Sequence, residues 1–586
     1  MIKLKGIAAS GGISIGKAFY VGKEEIIVPK SKISHEDISR EIYRLEEALI
    51  DTRKTIGSLQ KRIADEMGYD HAQIFEVHML VLEDRMLIED IIMQIKNKKV
   101  NVEYAFSQSL NKYTNTLRKL DDEYLRERAF DIEDVGKRVL RRMLKQERVS
   151  LDKLKEEVVI VAYDLSPTDT VALPKDKVLG FVIDIGGRTS HTAIIARSLS
   201  IPAVVGTEIA NKSVKGDEIL IVDGFEGLVY INPTEKVLRE YQKKLKDLSK
   251  VSKAIHISRL LKAETKDGKS IVVSANIELP EELSLIKRYG AEGIGLYRTE
   301  FLFLGRRVLP LEEEQYKAYL EVAKKVRSHS IIIRTIDIGG DKFLSKPDMP
   351  REMTPFLGWR AIRFCLANTQ IFKVQLRAIL RASSEGNIKI MFPMISGVEE
   401  LREAKKILEE CKKELKKENK KFDEKIALGV MIEVPSAALT ADILAKECDF
   451  FSIGTNDLIQ YSLAVDRADE KVAYLYEPAH PAVLKLVSGI IEAAHRNNIW
   501  VGMCGEMAGE VSFSILLVGL GLDEFSMPPP TIPQVKEIIR HISFKDAQKI
   551  AQGALNFSTS REVERFLQEQ MKRILKNDFY KFVNRL

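Results

Sequence analysis

In the segment "GGRTSHTAIIARSLSIPAVVG", residues 186–206, a glycine pair is followed at once by Arg-Thr-Ser-His. The apolar run from Val178 to Ile185 reads as a buried strand, and Thr192 to Leu199 has the spacing of a helix packed on one face. The motif is therefore a strand, a glycine turn and a helix whose first turn carries His191. A helix N-terminus presents unpaired N–H groups and a partial positive charge, which disfavours imidazolium and keeps a histidine there neutral and nucleophilic. A phosphoryl group attached to such a histidine meets waiting donors. Gly186 and Gly187 allow close backbone approach, and Ser190 or Thr192 can cap the helix or bond phosphate oxygens. The competing reading is a histidine that only caps a helix, and the rest of the chain must decide between the two.

A second set of chemistry-bearing residues lies further along. Arg298, Arg334, Arg360 in "LGWRAIR" and Arg467 in "AVDRADE" each bring a planar fork that binds carboxylate or phosphate bidentately, so several around one opening imply a small, multiply anionic substrate. Glu433 and Asp457 offer hard oxygen ligands without nearby histidine or thiolate pairs, which suits Mg²⁺ held by a few carboxylates plus substrate oxygens. Salt bridges to the arginines are the alternative use of those two carboxylates. Cys504, between Met503 and Gly505-Glu506, is either an inert core thiol or a proton donor or acceptor facing the substrate.

Those residues need elements to carry them. Residues 1–30 show short strands with glycine turns, and 31–149 turn almost wholly helical. The first helix lies in "HEDISREIYRLEEALIDTRKTIGSLQKRIADE", and three more amphipathic stretches are expected around Phe75, Ala105 and Val135. Strand-rich sequence resumes over 150–232, so the helical bundle reads as an insertion into one α/β domain made of 1–30 and 150–232. Residues 233–260 read as a polar helical connector. From 261 to 586 eight apolar runs, 270–277, 293–300, 330–340, 388–396, 427–436, 449–457, 500–509 and 523–529, alternate with helical stretches. That pattern predicts a (β/α)₈ barrel, whose site is built at the C-terminal ends of its strands. The run ends are polar: Arg298 and Glu300, Arg334 and Asp337, Glu433, Asn456 and Asp457, Cys504 and Glu506. In a barrel they converge on one mouth. The expected fold class is multidomain α/β.

Composition bounds the rest. With 586 residues, 45% of them hydrophobic, the chain has material for three or four domains. Charged residues make up 30% yet nearly cancel to +6, so neither a nucleic-acid stripe nor an acidic tail is indicated. The densest basic run, Lys406 to Lys421, alternates with glutamates and reads as a solvated helix face. Four cysteines, Cys365, Cys411, Cys448 and Cys504, lie far apart, against both a disulfide framework and a zinc site. No apolar run approaches the roughly 18 residues of a membrane span. The start "MIKLKGIAASGGISIGKAFY" is broken by glycines too early for a signal peptide, so a cytoplasmic location is expected.

"GGRTSHTAIIARSLSIPAVVG", "GIGLYRTEFLF", "RTIDIGGDK", "FLGWRAIR", "MIEVPSA", "IGTNDLIQYSLAVDR" and "CGEMAG" resemble the successive motifs of the Enzyme I family of the bacterial sugar phosphotransferase system, the phosphoenolpyruvate-protein phosphotransferases. The likeness runs from "GIAASGGISIGKA" through the helical insertion to the barrel. It implies that His191 accepts the phosphoryl group and that Thr170, in "DLSPTDT", is its hydrogen-bonding neighbour. It implies a phosphoenolpyruvate clamp of Arg298, Arg334 and Arg360 completed by Asn456 and Arg467, Mg²⁺ ligands in Glu433 and Asp457, and a proton donor in Cys504. It further implies docking of a histidine-containing phosphocarrier protein on the helical insertion, a swivelling phosphohistidine domain, and a homodimer formed through the barrel.

Two other readings compete. A phosphoenolpyruvate synthase or pyruvate, phosphate dikinase shares these motif types but needs a nucleotide-binding module, and before His191 stand only a small α/β start and a helical bundle, without a glycine-rich phosphate loop. A regulatory binding protein could keep the fold without catalysis, which fold alone does not exclude; the intact nucleophile, arginines, carboxylates and cysteine count against it. His71 and His78 fall on expected bundle helices as core or docking residues, and His480, in "EPAHPAV", starts a helix with no glycine pair before it.

Overall fold

The computed structural model describes residues 1–21, 26–67, 74–118, 123–146, 154, 156–165, 173–174, 176–187, 190–199, 201–303, 306, 308–326, 329–338, 357–467, 469 and 471–583. They fall into two units, Met1–Lys246 and Asp247–Asn584.

Short runs of β-branched residues separated by glycines build the sheet of the first unit. Its strands are β1 (Ile2–Lys5), β2 (Ile7–Ser10), β3 (Ile13–Val21), β4 (Val158–Ala162), β5 (Val178–Ile183), β6 (Ala203–Val205), β7 (Ile219–Asp223) and β8 (Leu228–Ile231). They lie in the order β1-β8-β7-β3-β4-β5-β6-β2. The pairs from β3 through β4 and β5 to β6 are parallel and the others antiparallel. Strand β4, VVIVA, is buried at every position because both its faces are covered. Val158, Ile160 and Ala162 pack with Phe181, Ala193 and Ala196, while Val159 and Val161 pack with Leu220, Val222 and Val229.

Between β3 and β4 the chain forms helices Ile38–Met67, Ile74–Leu82, Arg85–Lys98, Val102–Arg118 and Glu123–Leu144. The stretch around Phe75 is thus two helices where the sequence pattern indicated one. Asp84 caps the second, accepting the Leu87 N–H at 3.1 Å, and breaks an otherwise continuous apolar spacing. Leu45, Ile56, Phe75, Ile91, Phe106 and Val139 share one core, in which Gly136 is required: a Cβ there would lie 2.3 Å from a Leu110 methyl. His78 is buried edge-on to Phe75, with ring centroids 5.5 Å apart, and is a core residue; His71 lies outside the described residues.

Helix Glu235–Ser258 contains the boundary between the units. In the second unit, β9 (Ala263–Glu264) pairs antiparallel with the start of β10 (Ser270–Ile277). Then follow β11 (Gly293–Tyr297), β12 (Ser330–Arg334), β13 (Ile388–Phe392), β14 (Leu428–Ile432), β15 (Phe450–Ile453), β16 (Trp500–Met503) and β17 (Glu524–Met527). Strands β10 to β17 are parallel, and the circle closes where β10 pairs with both β17 and β11. This is the (β/α)₈ barrel. Leu296, Ile332, Met391, Met431 and Phe450 fill its interior, and Gly429 makes room for the Phe450 ring, which a Cβ would approach to 2.2 Å. Helix Val398–Lys417 buries Leu401, Ile407, Leu408 and Leu415 against the barrel and turns its dense charges outward. All four cysteines are free, and no helix of the described residues is long and apolar enough to cross a membrane.

Candidate active site

His191 opens helix His191–Ser198. Ser190 is its N-cap: the backbone there is extended, and the hydroxyl accepts the Ala193 N–H at 3.4 Å. Thr192 does not cap; its hydroxyl donates to the Leu165 carbonyl at 3.2 Å, tying the helix to the loop after β4. Gly186 has φ 101°, in the region that favours glycine, and a Cβ there would stand 3.0 Å from Ser190 Cβ. The strand, glycine turn and helix start are therefore as the residues indicate. Thr170 lies outside the described residues.

The other candidates sit just past the C-terminal ends of the barrel strands. Arg334, ending β12, donates to Glu300 at 2.9 Å and lies 2.8 Å from Asp337. Arg360, which starts helix Ala361–Ala367, donates through Nε and Nη2 to one oxygen of Asp337 at 3.0 and 2.6 Å. Its Nη2 also reaches Asp457 at 3.3 Å, and its Nη1 reaches the Tyr461 hydroxyl at 3.4 Å. Arg298, after β11, pairs with Glu278. Asn456 and Arg467 meet on Glu506: both donate to its Oε1, at 2.9 and 2.8 Å, and its N–H donates back to Asn456 Oδ1 at 2.9 Å.

Glu433 follows β14 and is buried, with Oε1 accepting the Met394 N–H at 2.6 Å. Gly454, after β15, clears space for the other oxygen, since a Cβ there would lie 2.7 Å from Glu433 Oε2. Asp457 belongs to the first turn of helix Thr455–Leu463. Cys504 follows β16 and is buried, and its carbonyl accepts Asn276 Nδ2 at 2.9 Å.

Burial opposes the charge of Asp337, but Arg334 and Arg360 outweigh it and hold that carboxyl below its ordinary range. Glu433 is pushed well up, by burial first and then by Asp337 and Asp457. Asp457 is also raised, by burial, against the pull of Arg360. So the arginines satisfy Asp337 and leave two carboxylates, the buried Glu433 and the partly buried Asp457, short of positive charge. That donor set fits a hard divalent cation. Among the described residues no cluster of three His, Cys, Asp or Glu side chains could hold a metal ion, so a cation here would rest on two carboxylates and on oxygens of a bound substrate. Burial pushes the Cys504 thiol up to about 11, which keeps it protonated at neutral pH and able to give a proton.

Three family models match in chain order: "PEP-utilising enzyme, N-terminal" over residues 5–128, "PEP-utilising enzyme, mobile domain" over 154–227, and "PEP-utilising enzyme, PEP-binding domain" over 252–544. A phosphoenolpyruvate-protein phosphotransferase of Haemophilus influenzae is 46% identical over 566 residues, 97% of this chain and 98% of that one. One from Listeria monocytogenes is 47% identical over 561 residues, 96% of this chain and 98% of its own. One from Bacillus subtilis is 45% identical over 574 residues, 98% of this chain and 100% of its own. The chain belongs to the phosphoenolpyruvate-protein phosphotransferase family.

In this member of the phosphoenolpyruvate-protein phosphotransferases the fold brings Arg334, Arg360, Glu433 and Asp457 into one connected cluster. Arg298 and the pair Asn456 and Arg467 are instead engaged by Glu278 and Glu506. The residues that organise the phosphotransferase mouth and that motif reading left without a role are Asp337, Tyr461 and Glu506. Asp337 carries one sequence signal, its place three residues after an arginine at a strand end. Nothing in the sequence ties it to Arg360, 23 residues on.

Proposed function

We propose that this chain takes the phosphoryl group of phosphoenolpyruvate onto His191 and passes it to a histidine of a small phosphocarrier protein, the first step of phosphotransferase-driven sugar uptake. The observation that carries the reading is the barrel mouth, where the guanidiniums of Arg334 and Arg360 and the under-neutralised carboxylates of Glu433 and Asp457 lie within electrostatic reach of one another. Arg298, Arg334 and Arg360, with Asn456 and Arg467, bind and orient the phosphate and carboxylate of phosphoenolpyruvate. Glu433 and Asp457 would hold Mg²⁺, which when bound neutralises charge on the phosphoryl oxygens. The neutral imidazole of His191 supplies the lone pair that forms the N–P bond as the P–O bond to the enolate breaks. The Cys504 thiol gives its proton to the methylene carbon of the enolate, so that pyruvate forms and the reverse reaction is suppressed. The family resemblance implies Thr170 as the hydrogen-bonding neighbour of the phosphohistidine.

The same reading divides the labour along the chain. Residues 1–30 and 150–232 form the phosphohistidine domain, 31–149 the carrier-docking insertion, 233–260 the linker, and 261–586 the phosphoenolpyruvate-binding domain, through which two copies dimerise in the cytoplasm. His191 belongs to one unit and the mouth to the other. Reacting atoms must come within about 3–3.5 Å, so the account requires one arrangement for phosphoenolpyruvate and another for the carrier.

Full-length protein with Mg²⁺ and phosphoenolpyruvate should release one pyruvate per chain and stop, then resume when a histidine-containing carrier protein is added. Sustained pyruvate release that needs AMP with phosphate or pyrophosphate and forms ATP would instead favour a synthase or dikinase. Absence of any pyruvate would favour a catalytically silent binding protein.

A further inference from the structure

The helical insertion of the first unit contains an open cavity of about 680 Å³ whose lining residues have no named role in the phosphoryl-transfer reading. One wall comes from the end of helix Glu123–Leu144 and the residues after it, with Arg138, Arg142 and Lys145; the other comes from helix Ile38–Met67, with Glu47 and Asp51. Arg44 also lines it, but its charge is already met by Glu41, at 2.8 Å, and by Glu103. Arg138 differs. Its guanidinium is half-buried and makes no hydrogen bond or ion pair with a described residue, and burial pushes it below its ordinary value against the pull of Asp134. Arg142 has only a loose 3.4 Å contact with Asp51 across the cavity. Basic residues in a last helical turn favour the helix dipole, which accounts for Arg141 and Arg142. It does not account for Arg138, more than a turn earlier and partly desolvated.

We propose that this cavity binds a small phosphate monoester with a hydroxylated body, its phosphate on Arg138, Arg142 and Lys145 and its hydroxyls on Glu47 and Asp51. Guanidinium forks match phosphate oxygens bidentately, and the ammonium of Lys145 adds a point charge. Carboxylates on the facing wall repel an anion but accept hydrogen bonds from hydroxyl groups, which orients such a ligand with its phosphate towards the arginines. The volume exceeds that of a bare phosphate and lies in the range of small-molecule sites. The site is independent of the chemistry proposed for the barrel.

Met143 lines the same cavity and supplies a local probe. Full-length protein carrying ¹³C-methyl methionine, with the Met143 signal assigned through Met143→Leu, is titrated separately with glucose 6-phosphate, inorganic phosphate, glucose and succinate. The Met143 signal should shift with glucose 6-phosphate below about 10 mM, less with inorganic phosphate, and not with glucose. Arg138→Gln should weaken the response about tenfold, the loss of one charge-assisted bond, and Arg142→Gln, an exposed change that spares the fold, should weaken it as well. A response to inorganic phosphate that equals the sugar phosphate overturns the role of Glu47 and Asp51. No shift with either phosphate, a larger shift with succinate, or shifts undiminished in both variants overturns the site.

Discussion

One oxygen of Asp337 accepts Arg360 Nε and Nη2 at 3.0 and 2.6 Å, while the other lies 2.8 Å from Arg334 Nη1. A single buried carboxylate thus fixes two guanidiniums that the proposed mechanism turns towards phosphoenolpyruvate. Asp337→Asn keeps the shape and removes the charge, leaving two partly buried cations short of a partner, and should cost about 3 kcal/mol of barrel stability and raise the KM for phosphoenolpyruvate. Because the folded carboxyl lies below its ordinary value of 3.8, its contribution is complete above that value and is lost as pH falls through the folded pKa. Urea unfolding of both proteins should therefore show a gap that is wide at neutral pH and narrows below about pH 4. An unchanged gap down to strongly acid pH would mean that the effect is not electrostatic.

Glu433→Ala or Asp457→Ala should lower Mg²⁺-dependent pyruvate formation at least about a hundredfold, since each removes one of only two hard ligands on the protein side. Turnover measured against Mg²⁺ concentration reads this directly. Near-normal rates with unaltered metal dependence in both variants would assign the two carboxylates to ion pairing with Arg360 and its neighbours.

These two experiments probe features of unequal visibility in the sequence. The eight barrel strands are evident as apolar runs, yet the run 330–340 yields a strand of only Ser330–Arg334. Ile336 and Ile338 are buried beyond the strand's end, so the apolar pattern continues after the ladder has stopped, and hydrophobicity reports burial and not pairing. The bundle shows the opposite fault. Helix spacing runs through Asp84, and only the side-chain cap on Leu87 divides it into two helices. At the mouth, the arginines and carboxylates announce an anion and a cation by type and position. Their partition is set by tertiary distance: Asp337 is satisfied by Arg334 and Arg360, while Glu433 is not. No spacing rule carries that information.

Cys504→Ser should slow pyruvate formation more than it weakens phosphoenolpyruvate binding, because a hydroxyl is a far weaker acid than a thiol in the same place. The thiol is pushed up to about 11 and stays protonated below that. The rate of the protonation step should be flat through neutral pH and fall as pH rises towards about 11, where the donor is lost. Single-turnover measurements separate this step from binding. A rise in KM alone would make Cys504 a packing residue.

Gly186→Ala places a side chain at φ 101° with its Cβ 3.0 Å from Ser190 Cβ, against the residue that caps the His191 helix. The variant should lose about 1–2 kcal/mol from the first unit and be phosphorylated more slowly, with the barrel's affinity for phosphoenolpyruvate unaffected. Calorimetry and a labelling time course check the two halves. An unshifted melt would show that the turn tolerates a side chain.

The account stands most directly on where the phosphoryl group goes. Full-length protein incubated with Mg²⁺ and phosphoenolpyruvate labelled in its phosphoryl group, then digested under alkaline conditions that preserve phosphohistidine, should carry acid-labile label on the peptide containing His191. His191→Ala should carry none while still binding phosphoenolpyruvate. Stable label on the alanine variant at any other residue would contradict the assignment of His191 as the phosphoryl acceptor.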